Sequence, residues 1–439
     1  MTKHSAQRQL KVGVGVLVWG MLGAAIACGQ TNSEIFAHFT FNFNNPGARA
    51  TALGGAFISL ADDATAAEAN PAGLTALVRP EFSFECKALR FTRTVDNFSH
   101  TGTAAQYSLV GKDFTSHVIS PSFASVVVPV GKLTFSAFRH ELVNFESSFY
   151  TRGSYVPPLT DGSTFYPVSA SLEMSVVNYG IAAAMKVSRQ VSVGVSAGLS
   201  QMNASSLLTR YGVEVFNPST VLSEDAIDDA AFDFMINAGV LWRPTQRLSI
   251  GATFKRRPSF SLEQRFRFIS SWRDSVMNRR VNFHVPSSAG VGISYRATDE
   301  LTFAVDAQRV FYSSLTRDFV TTYSLENTAP GDYTVDDGME FHAGAEYIFF
   351  VSSVGVALRG GAYVEPDSRI RFDGVVRDSN DPDRIFARQL AAALYKKGEA
   401  TVHAAFGIGL VLSQRLQVDF AGTIAKGVDE AVGSFVIRF

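Results

Sequence analysis

The sequence predicts an all-β fold, a transmembrane antiparallel β-barrel of about 14 strands with an N-terminal plug inside its lumen. Three observations predict it. Apolar residues alternate with small or polar ones from residue 81 to the end, short connections alternate with long ones, and a secretion-like N-terminus precedes both. We therefore expect a signal peptide (1–27), an N-terminal tail and plug (28–80) and an outer-membrane barrel (81–439).

The composition fits a barrel and argues against other classes. The chain has 439 residues, of which 36 are Phe and 46% are hydrophobic. Its mean hydropathy of +0.10 is far below that of a helical membrane protein, as expected when lipid-facing residues alternate with lumen-facing ones. The formal net charge of −1 offers no basic surface, so nucleic acid is not an expected partner.

The N-terminus has the three parts of a secretory signal peptide, a basic start, an apolar run from about Val12 to Ala27 and small residues at its end. The run is too short for a membrane span. Cleavage after Ala27 exposes Cys28, so the junction also resembles a lipoprotein site, but a plain signal peptide is favoured because a barrel needs no acyl anchor. The other cysteine, Cys86, is expected to be a buried thiol, and two cysteines build no disulfide framework or metal cluster.

The stretch from Asn45 to Leu77 is the predicted plug. Its glycines and alanines let backbone approach backbone closely, and its Asn-Pro-Ala-Gly sequence is turn chemistry. We expect this turn to hold the plug against the barrel wall, and the acidic pair to anchor it to lumen residues. The positions singled out as the plug motif are Gly54, Gly55, Asp62, Asp63, Asn70, Pro71, Ala72 and Gly73.

An aromatic tail precedes the plug. Its phenylalanines are Phe36, Phe39, Phe41 and Phe43, set among polar residues. One interpretation is a strand, or hydrophobic packing for the plug. The other is a tail that lies in the lumen and binds an apolar ligand on its way through.

The strands are predicted from period-two alternation. From Val191 to Ser200, valine, alanine and leucine alternate with serine and glycine. A soluble sandwich also alternates, but its outer face would carry more Lys and Glu, so the small polar face fits a wet lumen better. The predicted strands lie at about 81–93, 118–130, 132–146, 168–187, 191–208, 229–243, 247–270, 281–296, 301–316, 338–350, 353–372, 400–412, 416–426 and 430–439.

The connections favour a membrane barrel over a sandwich. Tight joins, such as 131–132 and 188–190, alternate with mostly long polar ones, such as 147–167 and 373–399. Short periplasmic turns and long extracellular loops are typical of outer-membrane barrels. Residues 385–395 within the last loop have helical spacing and are expected to form a loop helix or a cap over the mouth.

The last strand alternates up to the terminal Phe439, with Phe435 and Ile437 on the same face. An aromatic carboxy terminus resembles the signal that the barrel assembly machinery binds. We therefore expect this machinery and outer-membrane lipid as partners.

Several segments resemble the FadL-like outer-membrane transporters of long-chain fatty acids and their relatives that import aromatic hydrocarbons. The resemblance covers nearly the whole mature chain and is weakest in the loops. The segments that carry it are Gly54-Gly55, Ala61-Asp62-Asp63, Asn70-Pro71-Ala72, Gly73-Leu74, 238–257, 281–286 and 289–296.

The resemblance implies a 14-stranded barrel blocked by the plug. It also implies ligand capture near the loops, an inner site beside the N-terminal tail, and sideways release through a gap at an inward kink of the third strand. Here Arg139, His140 and Glu141 interrupt that strand. They are either this lateral-gate kink or, as is slightly favoured, a bulge or the polar rim of the barrel. The capture site cannot be transferred, because the helical segment at 385–395 lies later than the family's helical loops.

We expect no enzymatic activity, cofactor or metal, since no nucleotide loop, paired-histidine motif or nucleophile elbow is present. The acidic cluster of Asp332, Asp336, Asp337 and Glu340 is more simply a solvated loop than a cation site. The expected function is uptake of hydrophobic ligands, above all long-chain fatty acids, gated by the plug. The alternative is a structural or adhesive surface barrel, or a plugged barrel that docks into a larger complex.

Overall fold

The computed structural model describes residues 43, 45–100, 107–151, 168–211, 221–270, 273–317, 330–375, 385, 388, 392 and 395–439. The expected signal peptide, Cys28 and the tail residues Phe36, Phe39 and Phe41 lie outside this part of the chain, as does most of the expected loop helix. No helix among the described residues is long and apolar enough to cross a membrane.

The main sheet contains 16 strand segments, of which two pairs continue each other, so the barrel has 14 strands. The strands are β1 (Glu81–His100), β2 (Tyr107–Val130), β3 (Leu133–Thr151), β4 (Val168–Lys186), β5 (Val191–Tyr211), β6 (Val221–Trp242), β7 (Leu248–Arg256 and Ser259–Ser270), β8 (Arg273–His284 and Ser288–Arg296), β9 (Leu301–Val310), β10 (Gly338–Val351), β11 (Val354–Glu365), β12 (Thr401–Val411), β13 (Leu416–Ala425) and β14 (Val428–Arg438). Each pairs antiparallel with its neighbours in sequence.

The sheet closes because β1 pairs with β14 as well as with β2; Glu81 lies opposite both Arg438 and Val127. The predicted 14-stranded barrel is therefore confirmed. Two strands end earlier than expected. A 3-10 helix, Tyr312–Thr316, follows β9, and β11 stops before Pro366, which has no N–H for the ladder.

The polar face of the strands points inward, as the alternation predicts. On β5, Ser192, Ser196 and Ser200 are buried, whereas Val195 and Leu199 are 48% and 46% exposed on the outer face. Cys86 corrects one expectation, because its thiol is exposed rather than buried. It follows the inward-facing Glu85 on β1, so the alternation turns it outward.

The N-terminal residues 47–77, here called the inner segment, lie inside the barrel. They form α1 (Ala48–Ala52), α2 (Ala66–Ala69) and a 3-10 helix (Pro71–Ala76). Inward-facing glycines of five strands receive the segment; a Cβ added at any of them would lie 2.0–2.4 Å from one of its atoms. These glycines are Gly194 (β5), Gly239 (β6), Gly251 (β7), Gly344 (β10) and Gly361 (β11). The close fit places the segment against much of the lumen wall.

Replacement of Gly361 by valine should displace the inner segment, because the new Cβ would lie 2.3 Å from the carbonyl carbon of Leu53. We expect a loss of about 1–3 kcal/mol in the free energy of unfolding, as for other overpacked sites, together with faster proteolysis of the inner segment. Gly360→Val is the matched control, since its Cβ would meet only Ala405 O at 4.0 Å. Equal behaviour of the two variants would contradict the close fit.

Candidate functional site

Glu68 of α2 is fully buried and connects the inner segment to the barrel wall. Its carboxylate accepts a hydrogen bond from Arg257 Nη1 at 2.7 Å and another from Asn237 Nδ2 at 2.9 Å. Lys255 Nζ and His140 Nδ1 each lie 3.8 Å from Oε1. We call these five residues the Glu68 cluster. It joins α2 to β3, β6 and the centre of β7.

The charge of Glu68 is stabilised by its neighbours. Burial by itself raises the pKa of this carboxyl, but Arg257 and Lys255 outweigh burial and lower the pKa to about 2. A depressed carboxyl pKa stabilises the fold above the usual glutamate value near 4.5 and ceases to do so only as the pH falls toward 2. The Glu68 cluster therefore holds across the physiological pH range.

Further contacts fix the other parts of the inner segment. Arg49 forms a two-point ion pair with Glu346 of β10, at 2.8 and 2.9 Å. Asp306 of β9 accepts the backbone N–H groups of Phe57 and Ile58 at 2.7 and 2.8 Å. These carboxylates come from the wall and bind the inner segment, a pattern that the sequence does not reveal.

The residues of the predicted plug motif belong to the inner segment, and its turn and its acidic pair make different contacts. The Asn70 side chain donates to Val240 O of β6 at 3.3 Å, so the predicted turn does contact the wall. Asp62 instead pairs with Arg49, and Asp63 bonds to the backbone and side chain of Thr65. The expectation that Asp62 and Asp63 anchor the segment to lumen residues is therefore wrong; both bond within the segment.

The remaining motif positions are explained by backbone geometry. Gly54 and Gly55 follow α1 with φ of 63° and 80°, a conformation that favours glycine. Gly54 O also contacts His342 Nδ1 of β10 at 2.8 Å. At Gly73, just after Pro71 and Ala72 in the 3-10 helix, a Cβ would lie 1.8 Å from Ala61 O.

The lumen is apolar on the loop side of the Glu68 cluster. Inward-facing residues of β3 to β9 form one buried hydrophobic group, here called the upper apolar cluster, and Phe43 belongs to it with its ring centroid 6.2 Å from that of Tyr312. The larger members are Phe43, Leu142, Phe145, Phe149, Leu172, Met174, Met202, Leu208, Ile227, Phe260, Leu262 and Tyr312. Of the four predicted tail residues, Phe43 thus lies beside this surface.

Buried nitrogen atoms lie at the boundary between the two levels. His140 Nδ1, Asn178 Nδ2 and Arg257 Nε have no hydrogen-bond partner among the described residues. His140 and Asn178 are directly opposite each other on β3 and β4, and Asn178 is fully buried. Unpaired buried donors are costly, so this boundary suits a molecule that supplies acceptors. The Nδ1 atom of His140 can donate a hydrogen bond to such a molecule only in the tautomer in which Nδ1 carries the proton.

The barrel wall is split above the same boundary. Pairing of β2 with β3 runs from Val130 and Leu133 up to Phe123 and His140 and is not continued above them in the described residues. A register shift between Glu141 and Val143 marks a bulge in β3, directly after Arg139, His140 and Glu141. Arg139 lies below the bulge and donates to Pro121 O of β2.

Side chains rather than a ladder cross this split. Ser116 Oγ donates to Glu146 O at 2.6 Å, and Ser120 Oγ donates to Glu141. An open groove on the outer surface lies next to the split. Its lining is mostly apolar and comes from β1 to β6, with Phe82, Ala124, Val126, Ala137, Arg139, Tyr179, Ile181, Leu199 and Phe234 as its main members.

The acidic cluster on the loop side is paired with other groups. Asp336 lies 3.0 Å from Arg371, Asp332 3.0 Å from Arg388, and Asp337 3.3 Å from Arg309. Glu340 accepts from the Tyr312 hydroxyl at 2.9 Å. In the described part of the chain no group of three or more His, Cys, Asp or Glu residues could hold a metal ion.

Comparisons with known proteins show the family of this chain and solved structures with a similar fold. The model of the family "Outer membrane protein transport protein (OMPP1/FadL/TodX)" matches residues 24–366. The fold resembles the Ralstonia pickettii toluene transporter TbuX, at 17% identity over 91% of this chain and 100% of that one, with a TM-score of 0.58. It also resembles the P. putida toluene transporter TodX, at 14% identity over 91% and 99% of the two chains, with a TM-score of 0.59. No curated protein sequence matches the chain.

Replacement of Glu68 by glutamine should loosen the inner segment, because it leaves Arg257 and Lys255 buried without their counter-charge. Breaking a buried ion pair costs about 3–5 kcal/mol, and the free energy of unfolding and the protease resistance of the inner segment measure the loss. Asp62→Asn is the matched control, because the Asp62 side chain is 40% exposed and its hydrogen bond among the described residues is with Arg49 of the same segment. A larger effect at Asp62 than at Glu68 would refute this account.

Proposed function

Because the chain belongs to the outer membrane protein transport protein family (OMPP1/FadL/TodX) and is an outer-membrane transporter of hydrophobic compounds, we propose that its ligand is a long-chain fatty acid. The supporting observation is that an apolar surface lies next to buried nitrogen atoms in the lumen. The upper apolar cluster ends at the buried nitrogen atoms of His140, Asn178 and Arg257. A molecule with an apolar chain and an acceptor at one end matches both.

Charge supports a carboxylate over a neutral hydrocarbon. Arg257 and Lys255 carry two positive charges beside the single negative charge of Glu68, so the cluster has a net positive charge. Toluene, the compound named for TbuX and TodX, has no acceptor that these donors could bind. Burial of the acyl chain among the phenylalanines would contribute about 25 cal/mol of binding free energy per Å² of apolar surface. The acyl chain would therefore supply affinity, and the carboxylate would supply selectivity.

Binding of a labelled long-chain fatty acid and of its methyl ester by purified protein tests the proposal. We expect saturable binding and an acid preference of about tenfold, equivalent to one charge-assisted hydrogen bond. Asn178→Leu should abolish most of this preference, whereas Phe43→Ala should weaken binding of acid and ester alike. Asn203→Leu, on the outer face of β5, is the control. Equal affinity for acid and ester in the native protein would exclude carboxylate recognition.

We further propose that the inner segment closes the lumen and that the ligand leaves sideways through the split between β2 and β3. Most residues of the segment from Ala61 to Thr75 are buried, which supports closure of the lumen. The missing ladder above His140 and the adjacent outer groove support lateral release. Release into the membrane spares an apolar chain a second passage through water. The boundaries 1–27, 28–80 and 81–439, the extracellular position of the loops and the role of Phe439 stay predictions.

A disulfide across the split should stop release without preventing binding. Ser120→Cys with Glu141→Cys joins two side chains that already touch, and the double variant should take up fatty acid at least about fivefold more slowly until it is reduced. Val126→Cys with Ala137→Cys is the control, because these residues are already paired in the ladder. Undiminished uptake with the first disulfide formed would exclude this exit.

A further inference from the structure

The wall has a second interruption, between β6 and β7. Below it Ile236 pairs with Arg256, and above it Ile227 pairs with Gln264. Between these pairs, residues 228–235 of β6 and 257–263 of β7 form no ladder with each other. We call this interval the seam. Unlike the split between β2 and β3, it is bounded by paired residues at both ends.

A change of phase in β7 causes the seam. Odd-numbered residues up to Arg257 face inward, and even-numbered ones from Pro258 onward do so, hence Arg257 and Pro258 are buried in succession. Pro258 also has no N–H to donate to β6. Arg257 turns inward to bind Glu68. The ladder therefore ends next to the Glu68 cluster.

Two aspartates of β6 replace the missing ladder. Asp233 Oδ2 accepts the backbone N–H of Ser259 at 2.7 Å, and Asp229 Oδ2 accepts that of Glu263 at 2.8 Å. Since side-chain carboxylates make these bonds, the two backbones stand a side chain apart. Both bonds are exposed, so water competes for the same donors. The seam is consequently the weaker part of this strand pair.

The layer that separates the two sides of the seam is thin. On the inward face of β6, Asp229, Ala231 and Asp233 are partly exposed, whereas Ile227 above them and Met235 below them are buried. The small Ala231 side chain packs directly against the upper apolar cluster. Opening of the two aspartate bonds, together with the bonds of Arg256 to Asp233 and to Phe234 O, would expose that cluster to the outside.

Apolar surface lies on both sides of the seam. Phe260 and Leu262 of β7 are each 1% exposed on the lumen side. Phe232 and Phe234 of β6 are each 64% exposed on the outer side. The outward face of β6 is apolar from these phenylalanines down to Trp242 and changes to Ala230 and Asp228 above them. The seam thus begins where the lipid-facing belt of this strand ends.

We propose that the seam is an entrance, through which a fatty acid at the outer boundary of the membrane reaches the upper apolar cluster, with Asp229 and Asp233 as its latch. This inference rests on the proposed function. Phe232 and Phe234 bind the acyl chain of the fatty acid. The aspartate bonds to Ser259 and Glu263 then open, and the acyl chain passes Ala231. Its place on the wall differs from that of the proposed exit.

A disulfide that locks the seam tests the entrance. In a background with Cys28→Ser and Cys86→Ser, Asp233→Cys with Ser259→Cys places one thiol on each edge of the seam, and the disulfide, once formed, should slow uptake of labelled fatty acid by cells at least about fivefold, with recovery on reduction. Ala226→Cys with Arg265→Cys is the matched control, because this pair lies in the intact ladder above the seam. Equilibrium binding by the purified protein should stay unchanged in both.

A second variant keeps the proposal falsifiable if that disulfide does not form. Ala231→Trp fills the seam from within and should slow uptake by a similar factor, whereas Ala230→Trp adds the same bulk on the outer face and should not. The entrance would be overturned if Ala231→Trp bound fatty acid normally and took it up at the native rate. Unchanged uptake by the double-cysteine variant with its disulfide formed would overturn it as well. Absence of fatty-acid binding by the native protein would instead refute the proposed function.

Discussion

The buried carboxylate of Glu68 is the interaction on which the rest of the structure depends. It sits in an alanine-rich helix inside the barrel, where an unpaired charge could not be maintained. Arg257, Asn237 and Lys255 must therefore face inward at one level of the wall. Both wall interruptions begin beside residues of this cluster, since pairing of β2 with β3 ends at His140 and that of β6 with β7 ends just before Arg257. Fixing the inner segment and weakening the wall are thus two effects of one arrangement.

The lumen is divided into two chemically different levels by the same constraint. Around the inner segment, many inward positions are glycine, serine or paired charged residues that contact polar backbone, alongside apolar wall residues such as Phe123, Phe138 and Met235. Beyond the Glu68 cluster the inward positions become phenylalanine, leucine and methionine. The bulge in β3 and the phase change in β7 bring Val143 and Phe260 inward at this transition. A ligand that spans the transition would contact the apolar surface along its length and the polar groups of the Glu68 cluster at one end.

The corrected expectations have a common physical origin. The sequence predicts Asp62 and Asp63 as anchors because they form an adjacent acidic pair. In the structure Asp62 pairs with Arg49 and Asp63 bonds to Thr65, both within the inner segment. Glu68 carries the anchoring role, and its only signal in the sequence is a single charge among Ala66, Ala67 and Ala69. That signal predicts burial but not the partners, since Asn237 and Arg257 come from distant strands.

The sequence by itself determined the barrel, its strand number, its tight turns, the inward polar face and the presence of a small-residue segment before the first strand. These features follow from local periodicity and turn chemistry, which each stretch carries within itself. Only the tertiary structure decided which glycines receive the inner segment, which carboxylates hold it, and where the ladders stop. Those outcomes depend on the register of several strands at once, and a bulge or a proline changes which residues face inward for the remainder of a strand. For that reason the alternation predicts the faces of β5 throughout, but not those of β3 beyond Glu141 or of β7 beyond Arg257.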